Sequence, residues 1–236
     1  MKPMRVCLIS VVSLCSVLSV GADTYTDSLG DNGASFLDIT SVVVNNTATT
    51  LTLTVNVAGD PSSPGNNWGK FLIGFDTTPG GSGNLNAVNG WGKNIQMSTG
   101  GMDYFIGSWL DSGSGADLKN WSGSQWNTVT ATYLPNPYNL NFSVGASSVS
   151  YTFDLAALGL SAGSSFNFDV YASTGGGDTV VDSSGNPAFQ TWGSAPYDSG
   201  LNVDTYAVTA VPEPTALTLL GLGGLLFMRR FGKPVA

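Results

Sequence analysis

Strict alternation of apolar and polar positions dominates the chain between residues 23 and 210. In Thr50-Leu51-Thr52-Leu53-Thr54-Val55-Asn56-Val57, the side chains of Leu51, Leu53, Val55 and Val57 share one face of an extended backbone. Val149, Tyr151 and Phe153 alternate with Ser and Thr. Phe166, Phe168 and Val170 alternate with Asn167 and Asp169, and Val129, Ala131 and Tyr133 with Thr128, Thr130 and Thr132. Strands of this kind bury one face and wet the other, as antiparallel sheets do. Less regular strands are expected at 38–44, 70–76, 103–109, 139–144 and 203–209. Turn residues separate the runs at Asn45-Asn46, Pro61 to Asn67, Pro79 to Gly83 and Gly175 to Gly177. The single helical suggestion, Leu155 to Leu158, is about one turn long. About nine strands joined by Gly-rich loops predict an all-β chain, an antiparallel, jelly-roll-like β-sandwich occupying 23–210 as one domain.

The two ends break this pattern. Residues 1–22 read as a signal peptide: Lys2 and Arg5 form a positive start, Val6 to Leu18 an apolar helix, and Val20-Gly21-Ala22 the small-residue site after which cleavage is expected. Residues 211–236 combine Val211-Pro212-Glu213-Pro214, an apolar run from Ala216 to Met228, and the basic residues Arg229, Arg230 and Lys233. As a helix that run spans about 20 Å, short of a hydrocarbon core of roughly 30 Å. Thr215 and snorkelling arginines extend its reach, so 215–228 is expected to be a short membrane helix. Gly221, Gly223 and Gly224 argue against a buried core helix, since each weakens a water-soluble helix by about 1 kcal/mol. The basic end marks the cytoplasmic side and leaves the sandwich outside.

Pro212-Glu213-Pro214, a short apolar span and a basic tail, in that order, closely resemble the PEP-CTERM sorting signal of Gram-negative bacteria. The resemblance covers about the last 26 residues of the sequence. It implies that the chain is the substrate of an exosortase, which would recognise Pro212, Glu213 and Pro214 while Arg229 and Arg230 hold the far end in the cytoplasm.

Charge and composition narrow what the middle domain can do. Its 15 aspartates face only Lys70, Lys93 and Lys119, a net charge of −12 within a chain of net charge −8. Such a surface cannot neutralise phosphates, so nucleic-acid binding is excluded. There is no His in the chain, and Cys7 and Cys15 both lie in the signal peptide. The exported product therefore has no disulfide, no thiolate nucleophile and no imidazole base or ligand. Asp27, Asp31 and Asp38, with Asn32 among them, put hard oxygen ligands on a Gly-punctuated stretch that suits Ca²⁺. Aspartates also favour turns for their own backbone bonds, and no Glu closes an EF-hand loop here. Trp68 and Trp91, in Asn66-Asn67-Trp68-Gly69 and Asn89-Gly90-Trp91-Gly92, are candidate sugar-stacking platforms; a loop Trp equally serves as a lid over a core.

The order of features from Asp27-Ser28-Leu29-Gly30-Asp31-Asn32-Gly33 into Leu37-Asp38-Ile39-Thr40-Ser41-Val42 is similar to the opening of DOMON-like sandwiches, including the C-terminal domain of glucodextranases. Phe71 to Asp76, Leu118-x-x-Trp121-x-Gly123-x-x-Trp126 and Phe153-Asp154-Leu155 continue the likeness across most of 25–172. The resemblance implies a carbohydrate-binding type of β-sandwich, in which structural calcium is common. No catalytic residue emerges: the domain has no Glu, and no motif marks a carboxylate pair. The leading expectation is a non-enzymatic, exported surface or matrix protein, sorted by an exosortase and associated with exopolysaccharide. The alternative is a specific glycan-binding module of the same fold, and a glycoside-active enzyme stands third.

Overall fold

The computed structural model describes residues 22–63, 65–66, 68–81, 90–93, 95–97, 101–111, 113–174, 180–185, 197–198 and 203–210. The signal peptide up to residue 21, the tail from 211 and the turn at Gly175 to Gly177 lie outside the described residues. The strands in chain order begin with β1 (Asp23–Thr26), β2 (Ile39–Asn46), β3 (Thr50–Val57), β4 (Lys70–Asp76), β5 (Ile95–Gln96), β6 (Tyr104–Trp109) and β7 (Gly115–Trp121). They continue with β8 (Trp126–Ala131), β9 (Asn141–Val144), β10 (Ser148–Asp154), β11 (Ser165–Ser173), β12 (Val180–Ser183), β13 (Tyr197–Asp198) and β14 (Asp204–Ala207). Short 3₁₀ turns occupy Ser35–Leu37 and Leu155–Leu158, the second where a single helical turn is expected.

Twelve of these strands form two antiparallel sheets, one of five strands in the order β1-β2-β3-β10-β9 and one of seven, while β5 and β13 pair with each other in parallel. In the larger sheet β12-β11-β4-β6-β7-β8 run side by side, and β14 also pairs with β11. Ser165 to Phe168 of β11 pair with β14, Tyr171 to Ser173 with β12, and β4 takes the opposite side. Thus β12 and β14 lie end to end along one edge of β11, with Asp169 at the gap between them.

The alternation read from the sequence fixes which faces meet. Leu51, Leu53, Val55, Val149, Tyr151 and Phe153 point inward from the smaller sheet and are fully buried. They face Phe71, Ile73, Phe75, Ile106, Leu118, Phe166 and Phe168 of the larger sheet, and Phe75 meets Phe153 edge-on at 6.2 Å. A polar tip in this layer is satisfied: Tyr151 Oη and Ser108 Oγ lie 2.6 Å apart, and Ser108 Oγ donates to the Phe71 carbonyl. On the wet side of the smaller sheet, hydroxyls pair laterally between strands, Thr52 with Thr152 and Thr54 with Ser150, each at 3.1 Å.

The larger sheet departs from simple alternation. Its outer face is covered as well: Leu72, Phe105, Tyr171 and Val180 form a second core with Ile95, Met97, Met102 and Trp126. Two buried faces explain why Phe71-Leu72-Ile73-Gly74-Phe75 reads as a continuous apolar run. Asp169, expected on a wet face by alternation, is fully buried because Ser183 to Gly185 cover it. Between β7 and β8, Leu118 pairs with Thr130 and Lys119 with Thr128, leaving Val129 as an inserted residue. That bulge exchanges the faces beyond it, so Thr130 is buried and Tyr133 is 57% exposed. The turn expected at Asn45-Asn46 falls later, because β2 continues through Asn46 and the Thr47 hydroxyl accepts from the Thr50 N–H. The short strands β1, β5, β12 and β13 and the mixed strand β7 carry too little periodicity to be found by alternation.

Phe153→Ala is expected to destabilise the fold by about 3–5 kcal/mol through the cavity it leaves. Thr152→Ala, one position away on the wet face, is expected to cost within about 1 kcal/mol. Urea denaturation of the two variants checks this; equal losses would show that the two faces of β10 are not distinguished as described.

Candidate metal centre

The segment from β1 to β2 crosses the rim where the edges of the two sheets meet. After β1 the Asp27 N–H donates to the Thr40 carbonyl at 3.0 Å, holding Asp27 beside the start of β2. Asn32 pins the following loop. Its Nδ2 donates to the Leu37 carbonyl and its Oδ1 accepts from the Ala34 N–H. Phe36 and Leu37 then anchor the 3₁₀ turn in the core and Asp38 follows, 2% exposed. Its Oδ2 accepts from the Gly30 N–H at 3.0 Å, which closes the loop on itself.

From the other sheet comes Asp182 of β12, fully buried, its Oδ1 accepting from the Ser183 N–H and its Oδ2 from the Ile39 N–H. One carboxylate oxygen each from Asp27, Asp31 and Asp182 lies within 4.8 Å of the other two. Oxygens on opposite sides of a Ca²⁺ ion, bound at about 2.3–2.6 Å, are separated by about 4.6–5.2 Å, so the three fit around one such ion. Asp27 Oδ2, both oxygens of Asp31, Asp38 Oδ1 and Asp204 Oδ2 are buried from solvent without a hydrogen-bond partner. Buried carboxylate oxygens of this kind call for a proton, a cation or a bound water.

The electrostatics point the same way. Burial, reinforced by the charges of Asp31, Asp169 and Asp38, pushes Asp27 up to about 7, against the pull of the Ser28 N–H. Burial pushes Asp182 up to about 8, with Asp27 and Asp31 adding repulsion and the Ile39 and Ser183 N–H groups opposing. Asp204 rises to about 6 through burial and the charge of Asp169. Asp31 is raised by burial and Asp38, and Asp38 itself by burial. Like charges gathered at a half-closed rim disfavour their own ionisation.

The donor set is all oxygen and all carboxylate, suited to a hard cation rather than to zinc or copper. Several protein carboxylates in irregular geometry favour Ca²⁺ over Mg²⁺, which keeps its waters and demands an octahedron. Of the aspartates singled out in the sequence, Asp27 and Asp31 come together and Asp38 lies beside them. Sequence reasoning missed Asp182, Asp169 and Asp204. The signal available for Asp182 was an acid directly after Val180-Val181, where a turn residue has no place.

The tryptophans sit elsewhere. Trp68 is half-buried against the main core, its ring edge-on to Phe36 at 4.9 Å. Trp91 lies on the outer face of the larger sheet, where its indole covers Gly107 so closely that a Cβ there would collide with it. Its ring N–H bonds to Asp117, a buried carboxylate that also has Lys119 at 3.7 Å and the Tyr133 hydroxyl at 3.5 Å. Trp109 covers Gly115 on the neighbouring strand in the same way and meets Trp91 at 6.0 Å and Tyr133 at 5.5 Å. These three rings form a row that ends at the exposed Tyr133.

No family model and no curated protein matches this chain.

Millimolar Ca²⁺ is expected to raise the melting temperature at matched ionic strength, because selective binding to the folded state adds about 2.7 kcal/mol at a hundredfold excess over Kd. In chelator the dependence on pH follows from the raised carboxyls. Their native-state values of about 6 to 8 lie above the unfolded value of about 3.9, so the native state binds protons more tightly. Their stabilising contribution is therefore complete below about pH 4 and lost as pH rises through 6 to 8. Thermal melts from pH 5 to 8.5, with calcium and with chelator, test both statements; superimposable curves would remove the site.

Proposed function

We propose that this chain is a non-enzymatic, exported surface or matrix protein whose jelly-roll-like sandwich binds a Ca²⁺ ion at Asp27, Asp31 and Asp182. The observation that carries the reading is the convergence of those carboxylates from both sheets onto one point, with oxygens left unpartnered. A site of this kind fills where free calcium is plentiful, outside the cell, which agrees with the signal peptide ending at Ala22. The Pro212-Glu213-Pro214 tail supplies the delivery: the membrane holds 215–228 until an exosortase releases the domain toward exopolysaccharide. Two prolines remove backbone donors and keep that segment extended, a form that a processing enzyme grips.

Replacing Pro212-Glu213-Pro214 by three alanines is expected to leave export and folding intact while the protein accumulates uncleaved in the inner membrane. Intact mass with fractionation, in a host that has the sorting enzyme, reads the outcome. A wild-type mature protein that retains 215–236, or a variant that matures equally well, sinks the sorting reading.

A second reading, a glycan-binding module, is favoured by the row Trp91, Trp109 and Tyr133. Two indoles packed over glycines of adjacent strands, tilted 40° to each other, offer aromatic faces to the apolar face of a sugar ring, and the acidic domain would repel polyanionic chains. Trp109→Ala and Tyr133→Ala are expected to abolish retardation in affinity electrophoresis through hydroxyethylcellulose or laminarin. Wild-type protein that migrates freely through both gels counts against this reading.

A further inference from the structure

The stretch from Asp23 to Asp31 is attached to the molecule by unusually little. In β1 only Tyr25 is half-buried, the residues on either side of it are exposed, and Leu29 is 76% exposed. Tyr25 stands edge-on to Phe168 of β11 at 5.1 Å and its hydroxyl donates to the Thr205 carbonyl of β14 at 2.8 Å. The rest of the attachment is the edge pairing of Asp23 to Thr26 with Ser41 to Val44 of β2, the Asp27 N–H on the Thr40 carbonyl and the Gly30 N–H on Asp38 Oδ2. The strap thus runs from the edge of the five-stranded sheet to the edge of the seven-stranded one, with a single aromatic anchor. Beyond that anchor it delivers Asp27 and Asp31 to Asp182, and both also feel the charge of Asp38. Asp38 is 2% exposed and its Oδ1 has no partner. Without a cation, this end of the strap meets like charge; with one, it meets a shared counter-ion.

We infer that the Ca²⁺ site is a latch for the N-terminal strap: ion binding at Asp27, Asp31 and Asp182 decides whether residues 23–31 stay docked across the two sheet edges. The inference rests on the calcium site proposed above and adds that its effect is local. The central strands do not need the ion, because β3 and β10 bury Leu51, Leu53, Val55, Tyr151 and Phe153 without it. Release of the strap uncovers the hydrogen-bonding edge of β2 and the ring of Phe168, and an open strand edge is a template for pairing with another chain. Ion binding therefore sets how much of that edge is offered outside the cell.

Hydrogen exchange followed by mass spectrometry, on the full chain in detergent, tests the latch with CaCl₂ or chelator at matched ionic strength. Calorimetry on the same sample reads ion binding. At a hundredfold excess of Ca²⁺ over Kd, exchange within 23–31 is expected to slow about a hundredfold relative to chelator, and in chelator 23–31 is expected to exchange well ahead of 50–57, because the strap opens without global unfolding. Asp182→Asn is expected to exchange in calcium as the wild type does in chelator. Asp111→Asn, which touches only the surface pair with Lys70, should keep the calcium effect. Calcium binding with no change at 23–31 overturns the latch and leaves the site standing. Equal protection of 23–31 and 50–57 in chelator also overturns it, since the strap would then open only with the whole fold. Absence of binding heat together with calcium-independent exchange removes site and latch alike.

Discussion

Burial of negative charge at the rim where two sheet edges meet is the constraint that organises this molecule. Asp27, Asp31 and Asp38 come from one short connection, Asp169 and Asp182 from strands more than a hundred residues later, and they converge with few cations near. Backbone N–H groups and hydroxyls absorb part of the cost. Asp169 accepts from Val170, Ser183, Ser184 and Gly185, and Asp182 from Ile39 and Ser183. At this rim the oxygens that remain unpartnered belong to Asp27, Asp31 and Asp38, on one connection, and to Asp204 of β14. Asp169 and Asp182 are satisfied by the protein, and Asp27, Asp31, Asp38 and Asp204 each keep an oxygen for something else to satisfy.

This division follows from topology. β12 and β14 share one edge of β11, and Asp169 occupies the gap between them. Across the rim, β1 is the outermost strand of the smaller sheet and has a neighbour on one side only. The meeting of two edges gives the carboxylates a place that is enclosed without lying inside the apolar layer. Inside that layer an unpaired acid would cost far more, and the polar pair found there, Tyr151 and Ser108, is neutral and mutually bonded.

The larger sheet carries a second kind of specialisation. With an apolar layer on both faces it acts as the rigid centre, and its outer surface is shaped by what lies on its glycines. Gly107 and Gly115 let two indoles approach the backbone, and Asp117 fixes one of them through its ring N–H. The charges near that row are matched, Asp117 with Lys119 and Lys70 with Asp111. The rim and the outer face therefore differ in kind: carboxylates gather at one, while at the other each carboxylate has a lysine beside it.

The all-β class and the inner face of the smaller sheet were legible in the sequence. Period-two alternation is a local property, and Leu51 to Val57 or Val149 to Phe153 show it within a single strand. The same holds for the acidic balance and for Asp27 and Asp31 as oxygen donors, since both depend on residue type. What only the tertiary structure decided is everything that needs a second segment. Asp182 joins Asp27 because β12 lies at the edge opposite β1, and nothing within Val180 to Ser183 records that distance. Asp169 is dry because later residues fold over it, and Thr130 is buried because Val129 is inserted against β7. A single strand carries its own period in its side chains; which of its faces stays wet, and which acids become neighbours, depends on long-range pairing that one strand cannot encode.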